Sequence, residues 1–290
     1  MEKQIFIFNP TSGNGKSIKF IKNLVEEVKK EGKQNEVIIA ETKGKDDASE
    51  IAKFYSKIFK NSIIYSVGGD GTLNEVIAGI SPQTKLSIIP SGSGNDFYRV
   101  FQGIDGTKTI DLGIVNKRKF INIASLGIDA KMADTANRIK NSEFKMLSYP
   151  RAIVEEIAKY KPFCVRINGK LQECSIFTVC NGKYYGSGFP MNPNYDLNDG
   201  LLSMITAGKL TRREIIVLLL KIIKQSHLES SKVTSFKEQG IIIESDEILL
   251  CNVDGEIIKD NRFEFGVLPN ALTITNDIPQ YVKRMIKTIK

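Results

Sequence analysis

The chain has 290 residues, with 41 Lys and Arg against 33 Asp and Glu, one His, four Cys and no Trp, for a net charge of +8. At ~100–200 residues per domain this length suggests two domains, and 41% hydrophobic with 26% charged residues excludes disordered and fibrous classes. No uncharged apolar run approaches the ~20 residues of a membrane span, and the start, MEKQIFIFNP, lacks the apolar core and cleavage site of a signal peptide.

Lys3–Phe8 reads as a buried strand, followed by a turn over Asn9–Gly15. A helix over Lys16–Lys30 has Ile18, Ile21, Leu24, Val25 and Val28 at helical spacing and closes at Gly32. Next come a strand at Glu36–Ala40, a helix at Asp46–Phe59, a buried strand at Ser62–Val67, a helix at Leu73–Ile80 and a strand at Lys85–Ile89. Short segments at Asp96–Phe101 and Thr109–Leu112 follow. This alternation predicts βαβ units and a mostly parallel sheet. From about Phe120 short β-like runs take over: Phe120–Ala124, Phe163–Ile167, Ser175–Asn181, Leu201–Thr206, Ile241–Glu244, Ile248–Val253, Phe263–Val267 and Ala271–Ile274. Helices at Lys145–Lys159 and Arg212–Ser226 interrupt them, so the second part reads as β-rich, sandwich or barrel-like. The last segment, Ile278–Lys290, returns to a helical period.

Cys164, Cys174, Cys180 and Cys251 show no CxxC spacing, which argues against zinc knuckles and secreted disulfide frameworks and for a reducing cytoplasm. The single His227 falls late in an apolar helix pattern and reads as a packing or surface residue. Chemistry therefore rests on carboxylates, backbone amides, hydroxyls and a hard metal. The basic balance attracts anionic partners: nucleic acid, anionic membrane or phosphorylated small molecules.

Three loops rich in Gly, Ser, Thr and Asn fall where strands of the first domain should end, the edge at which ligands gather in parallel α/β sheets. Asn9–Ser17, NPTSGNGKS, resembles a phosphate-binding loop but has Pro10 where GxxxxGK[ST] requires glycine. It reads either as a phosphate-facing helix start or as a plain turn capped by Ser12 or Asn14. Ser66–Glu75, SVGGDGTLNE, has Gly68, Gly69 and Gly71, which permit close backbone approach and amides facing an anion before Thr72. An acid in such a loop repels phosphate unless a divalent cation lies between, so Asp70 reads as a metal-side residue. Pro90–Phe97, PSGSGNDF, adds the hydroxyls of Ser91 and Ser93, with Asp96 at a helix start where it reads alone as a cap. Asp111 ends the next strand and reads alone as a turn residue.

NPTSG at 9–13, GGDGTLNEV at 68–76, GSGNDF at 92–97 and VDGE at 253–256, in this order over nearly the whole chain, resemble the diacylglycerol kinase catalytic domain family of lipid kinases. In size and layout the chain is most similar to the soluble bacterial diacylglycerol kinases. The resemblance implies a three-layer α/β nucleotide-binding domain with a mostly parallel sheet over residues 1–117. It implies a β-rich, sandwich-like lipid-substrate domain over 118–275, and a C-terminal segment, 276–290, that packs back on the first domain. The implied activity is ATP- and Mg2+-dependent transfer of the γ-phosphoryl group to a lipid hydroxyl, diacylglycerol becoming phosphatidic acid. Contacts to ATP would fall on Asn9, Pro10, Thr11, Ser12, Gly13, Thr42, Gly68, Gly69, Asp70, Gly71, Thr72, Leu73, Asn74 and Ser93, the last a Thr in most members. The catalytic magnesium network would use Asp70, Asp96 and Asp111. A second, structural magnesium would lie in the loop DLNDGLL on Asp196, Asp199 and the carbonyl of Leu201, an all-oxygen set suited to a hard ion. Glu256 matches the general base. Asp254 points to the opposite face if Leu250–Glu256 is extended, or sits in a turn through Gly255.

A lipid acceptor implies transient docking on an anionic membrane. Ile215–Leu220, set between Arg212, Arg213 and Lys221, Lys224, and the basic segment Ile278–Lys290 are the two candidates for that contact. Both read more readily as helices packed on their domains, since six consecutive apolar residues suit a helix buried on most sides, or a pocket lining. The resemblance permits a homodimer, and dispersed basic residues without a recognition motif argue against nucleic acid. GGDGT alone also leaves open phosphorylation of a soluble acceptor such as NAD. A non-catalytic nucleotide-binding, membrane-associated protein is the third reading.

Overall fold

The structure, a computed structural model, describes residues 2–140 and 148–289. The chain forms two compact units, Met1–Leu112 with Pro269–Lys290, and Gly113–Leu268.

In the first unit β1 (Gln4–Phe8), β2 (Val37–Glu41), β3 (Ile63–Gly68) and β4 (Lys85–Pro90) lie parallel in the order β2–β1–β3–β4. Phe6 and Phe8 of β1, with Ile63, Tyr65 and Val67 of β3, pack on Phe20, Ile21 and Leu24 of α1 (Lys16–Lys30). Ile5, Ile7 and Ile64, on the opposite face, are buried as well. α2 (Asp47–Ile58) and α3 (Asp70–Gly79) pack on each other and on β1 and β3. Covering on both faces is what the unbroken apolar runs of these strands require, and it gives the expected three layers. α4 (Asp96–Phe101) follows β4. The C-terminal helix α8 (Gln280–Ile289) completes the layer of α1: Tyr281, Val282 and Met285, with Ile278 ahead of them, join the same cluster, and the Tyr281 hydroxyl donates to Gln4 Oε1 at 2.9 Å. That segment is a docked helix, not a free amphipathic one.

The second unit is antiparallel. β7 (Ile123–Gly127), β8 (Phe163–Ile167), β9 (Lys170–Cys180), β10 (Leu202–Gly208), β11 (Val233–Glu238) and β12 (Gly240–Val253) pair in the order β11–β10–β9–β7–β12, with β8 on β9 and β12. β5 (Thr107–Val115) and β13 (Glu256–Thr275) contribute residues to both units, and β6 (Arg118–Phe120) pairs with the end of β5. Phe120, Phe177, Met204, Ile243 and Phe263 belong to one core. A second cluster, with Met132, Ile176, Ile205, Ile215 and Ile222, gathers α5 (Ile128–Lys140), α6 (Ser148–Lys159) and α7 (Arg212–Ile223) against the sheet. Among the described residues no helix is long and apolar enough to cross a membrane. All four cysteines are free thiols, three of them buried.

Several elements differ from the sequence reading, each for a physical reason. The run Phe120–Ala124 is two strands, broken at Ile121 and Asn122, whose amides bond a carboxylate instead of a ladder partner. α5 has no counterpart in the sequence reading, because its buried face is largely Ala130, Ala133 and Ala136, a weak apolar signal. Ile241–Glu244 and Ile248–Val253 are one strand, with a register shift against β13 between Glu244 and Leu249. Phe263–Val267 and Ala271–Ile274 likewise merge into β13. β11 has no counterpart in the sequence reading, because it is an edge strand with mostly exposed polar side chains. Of the helix read over Lys145–Lys159, Ser148–Lys159 is helical and the rest lies outside the described residues. α7 ends at Ile223, so His227 sits in a following turn, buried, with Nε2 2.7 Å from the Met191 carbonyl; it packs. The expectation that Ile215–Leu220 is buried on most sides is corrected: Ile215 and Ile222 are buried, while Ile216, Val217, Leu220 and Ile223 face out.

Candidate functional site

In the first unit the chain leaves β1 for β2 on one side and returns to β3 and β4 on the other, so the strand order reverses between β1 and β3. In open α/β sheets the crevice at that point, outside the carboxyl ends of the strands, is where ligands bind. The loops after β1, β3 and β4 meet there. Asn9 N bonds Val67 O at 3.2 Å, Ser91 N bonds Gly68 O at 2.9 Å, and the Ser91 hydroxyl donates to the Ser12 hydroxyl at 3.1 Å. Thr42, buried at the end of β2, bonds Phe8 O through its amide at 3.0 Å and joins the same edge.

The loops approach backbone to backbone. A Cβ on Gly13, which has φ +63°, would come within 1.7 Å of the Ser91 carbonyl oxygen, and one on Gly92 within 2.4 Å of Gly69 Cα. Only glycine fits at such contacts. Within the first loop, Asn9 Oδ1 accepts from the amide and the hydroxyl of Thr11, and the Ser17 hydroxyl donates to Asn9 O at 2.7 Å. Gly69 caps α3, whose first turn points its leading amides toward this edge. Thr72 is buried with its side chain against Gly68, and Leu73 is a core residue of α3 whose amide already bonds Gly69 O. Asn74 is half-buried one turn into the helix, Gly71 is exposed at its start, and Ser93 is exposed in the third loop. A surface built of backbone amides and hydroxyls suits a chain of phosphates.

Asp70 and Asp96 are brought together: Asp70 Oδ1 accepts from the Asp96 amide at 2.7 Å, at the start of α4. Asp96 is buried, with the Arg99 guanidinium 3.9 Å from its carboxylate. Asp111, on β5, is also buried, and its carboxylate accepts from the Asn270 amide at 2.8 Å. Among the described residues no three acidic, His or Cys side chains gather closely enough to hold a metal by themselves. An oxygen donor pair fits Mg2+, which keeps several waters and takes phosphate oxygens as its remaining ligands.

In the second unit β12 and β13 join through a two-residue turn, Asp254-Gly255, with φ +48° and +95° and Val253 opposite Glu256. Of the two placements open for Asp254, the turn is the one realised. Its carboxylate accepts from the amides of Ile121 at 2.7 Å, Asn122 at 3.1 Å and Ile123 at 2.9 Å. The side chain of Asn137 on α5 donates to Gly255 O at 2.9 Å and fixes the other side of the turn. Glu256, the next residue, is partly exposed and held by the guanidinium of Arg118. In the DLNDGLL loop Asp196 and Asp199 each accept from an amide two residues on, and the Lys237 ammonium pairs with Asp199. A divalent ion on Asp199 would compete with that ammonium.

Two acids carry information that the sequence reading missed. Asp254 is a structural anchor for three amides. Asp129, at the start of α5, is buried beside an apolar cavity lined by Ile128, Met132, Ile176, Leu210 and Ile215, and its oxygens have no hydrogen-bond partner among the described residues. Burial pushes its carboxyl up to about 7, against a smaller pull from the nearby Ser125 hydroxyl and Ala130 amide. The available signal was a strand ending in Gly127, at φ +103°, directly before an Ile-Asp helix start.

Residues 3–126 match the family model described as diacylglycerol kinase catalytic domain, and residues 122–276 match that of the YegS C-terminal NAD kinase beta sandwich-like domain. The diacylglycerol kinase of Mycobacterium tuberculosis is 28% identical over 293 residues, covering 92% of this chain and 92% of that protein. That of Bacillus subtilis is 27% identical over 279 residues, covering 88% and 90%. A crystal structure of a diacylglycerol kinase from Bacillus anthracis shares the fold, with a TM-score of 0.65 at 20% identity over 97% of this chain and 98% of that one. The chain therefore belongs to the bacterial diacylglycerol kinase-like family, a kinase catalytic domain followed by a YegS-type β-sandwich domain.

Proposed function

We propose that the protein is an ATP- and Mg2+-dependent lipid kinase that converts diacylglycerol to phosphatidic acid. The observation that carries the reading is the backbone-to-backbone meeting of the three loops at the strand-order reversal, with Asp70 and Asp96 beside it. The amides and hydroxyls of Asn9–Gly13, Gly68–Thr72 and Ser91–Ser93 hold the phosphate chain of ATP, and Thr42 lines the same edge. Asp70 and Asp96 would supply carboxylates for Mg2+, with Asp111, held in place by the Asn270 amide, as the third acid of the network. When bound, the ion offsets charge on the transferred phosphoryl group.

The acceptor hydroxyl must lose its proton as its oxygen attacks the γ-phosphorus and the bond to the β-phosphate oxygen breaks, releasing ADP. Glu256 Oε takes that proton, and Arg118 sets the orientation of its carboxylate. Asp254, engaged by three amides, fixes the turn that carries Glu256 and takes no part in proton transfer.

Glu256→Gln keeps shape and removes the base. Transfer of labelled phosphate from ATP to diacylglycerol in mixed micelles should fall by about 100-fold or more, with ATP binding unchanged. Equal activity in the variant removes Glu256 as the base. Robust ADP formation with NAD and no lipid would replace the lipid acceptor by a soluble one.

A further inference from the structure

α7 is apolar around most of its circumference, yet only one side is covered. Ile215 and Ile222 are buried, and Leu218 and Leu219 are half-buried against the second cluster of the unit. The other side presents Ile216, Val217, Leu220 and Ile223 at 48%, 52%, 55% and 57% exposure. At about 3.6 residues per turn these four form one strip, with Arg213 at one end and Lys224 at the other. A contiguous apolar strip of this kind marks an interaction surface, whereas scattered single residues do not. The helix is firmly started: Thr211 and Glu214 form a reciprocal capping box, with Thr211 N 2.7 Å from Glu214 Oε2. That box, and Lys232, engage the one acid of the helix. Arg212, Arg213, Lys221 and Lys224 have no ion-pair partner among the described residues.

The charges select the occupant. A second copy seated on this strip about a two-fold axis would bring four cations against the same four. An anionic bilayer accommodates both features, since the apolar side chains enter below the headgroups while the Arg and Lys stems reach back to lipid phosphates. α6, which packs beside α7, leaves Val154 exposed, with Arg151 one turn before it. We propose that α7 docks the protein on anionic lipid bilayers, lying in the plane of the interface with Ile216, Val217, Leu220 and Ile223 inserted. The proposal rests on the lipid-kinase reading for its purpose, but the docking itself requires neither ATP nor an acceptor.

The test uses the full chain and vesicles of phosphatidylglycerol with phosphatidylcholine, or of phosphatidylcholine alone, in a sedimentation assay without ATP. The wild-type protein should bind the anionic vesicles. Val217→Ser with Leu220→Ser should weaken that binding about tenfold or more, and Arg213→Gln with Lys224→Gln should weaken it on anionic vesicles. Both variants should keep the wild-type circular dichroism spectrum and micellar phosphorylation of diacylglycerol. Equal vesicle binding by the serine variant overturns the proposal. So does a vesicle-independent dimer that the same two substitutions dissociate in sedimentation equilibrium. Vesicle binding lost on Val217→Ser with Leu220→Ser in a protein that phosphorylates no lipid in micelles leaves docking standing and removes the lipid-kinase reading.

Discussion

Three amides converge on the Asp254 carboxylate, whereas the buried oxygens of Asp129 have only the weaker influence of the Ser125 hydroxyl and the Ala130 amide to offset their burial. The same side chain therefore does opposite things 125 positions apart. At Asp254 the charge is the binding agent of a turn. At Asp129 the charge is a liability, and the proton stays on to about pH 7. An unfolded chain releases that proton near pH 3.8. Below that pH both states are protonated and the residue costs nothing. As pH rises toward 7 only the unfolded state gains by ionising, so the folded state loses ground, and above 7 the full cost is present. Its ceiling is on the order of 4 kcal/mol. Asp129→Asn should abolish this term: the urea midpoint of the wild type should fall between pH 4 and 7 relative to that of the variant. Parallel pH profiles would show that Asp129 is ionised in the folded protein. Neither role follows from the local sequence pattern alone. A VDGE run is compatible with a strand or a turn, and the donors to Asp254 lie more than 130 residues away in the chain.

Glycine placement made the loops of the first unit readable as elements before their contacts were known. Pattern alone could not separate the two kinds of glycine in NPTSGNG. Gly13 and Gly15 both have positive φ, but a Cβ on Gly13 meets the Ser91 carbonyl at 1.7 Å, whereas one on Gly15 meets nothing within 4 Å. Gly15→Ala should pay only left-handed strain, about 1 kcal/mol in thermal or urea unfolding. Gly13→Ala must also push the first loop off the third, for about 2 to 4 kcal/mol, and should weaken ATP binding at least tenfold in calorimetric titration. Similar losses in the two variants would mean that the close approach is not what shapes the cradle. The first unit was legible because parallel strands buried on both faces are short apolar runs separated by helices of clear period. The second was less so: alanines hide α5, a polar edge hides β11, and a register shift splits the pattern of β12. Convergence of the loops was expected from strand order, but the amide of Asp96 on the carboxylate of Asp70 was not.

For the molecule as a whole, the excess of +8 and a pI near 9.1 bias encounters toward anionic surfaces, while the strip on α7 provides something to hold once contact is made. These two contributions respond differently to salt. Long-range attraction is screened over about 8 Å at physiological ionic strength and about 3 Å at 1 M, whereas burial of apolar side chains is not weakened by salt. In stopped-flow mixing with phosphatidylglycerol vesicles, raising salt should slow association about tenfold or more, as expected of electrostatic steering, and change dissociation much less. Val217→Ser with Leu220→Ser should do the reverse, speeding dissociation and leaving the salt-sensitive association in place. Salt that accelerates dissociation as strongly as it slows association would assign the hold itself to charge, and α7 would then contribute its arginines and lysines and not its apolar strip.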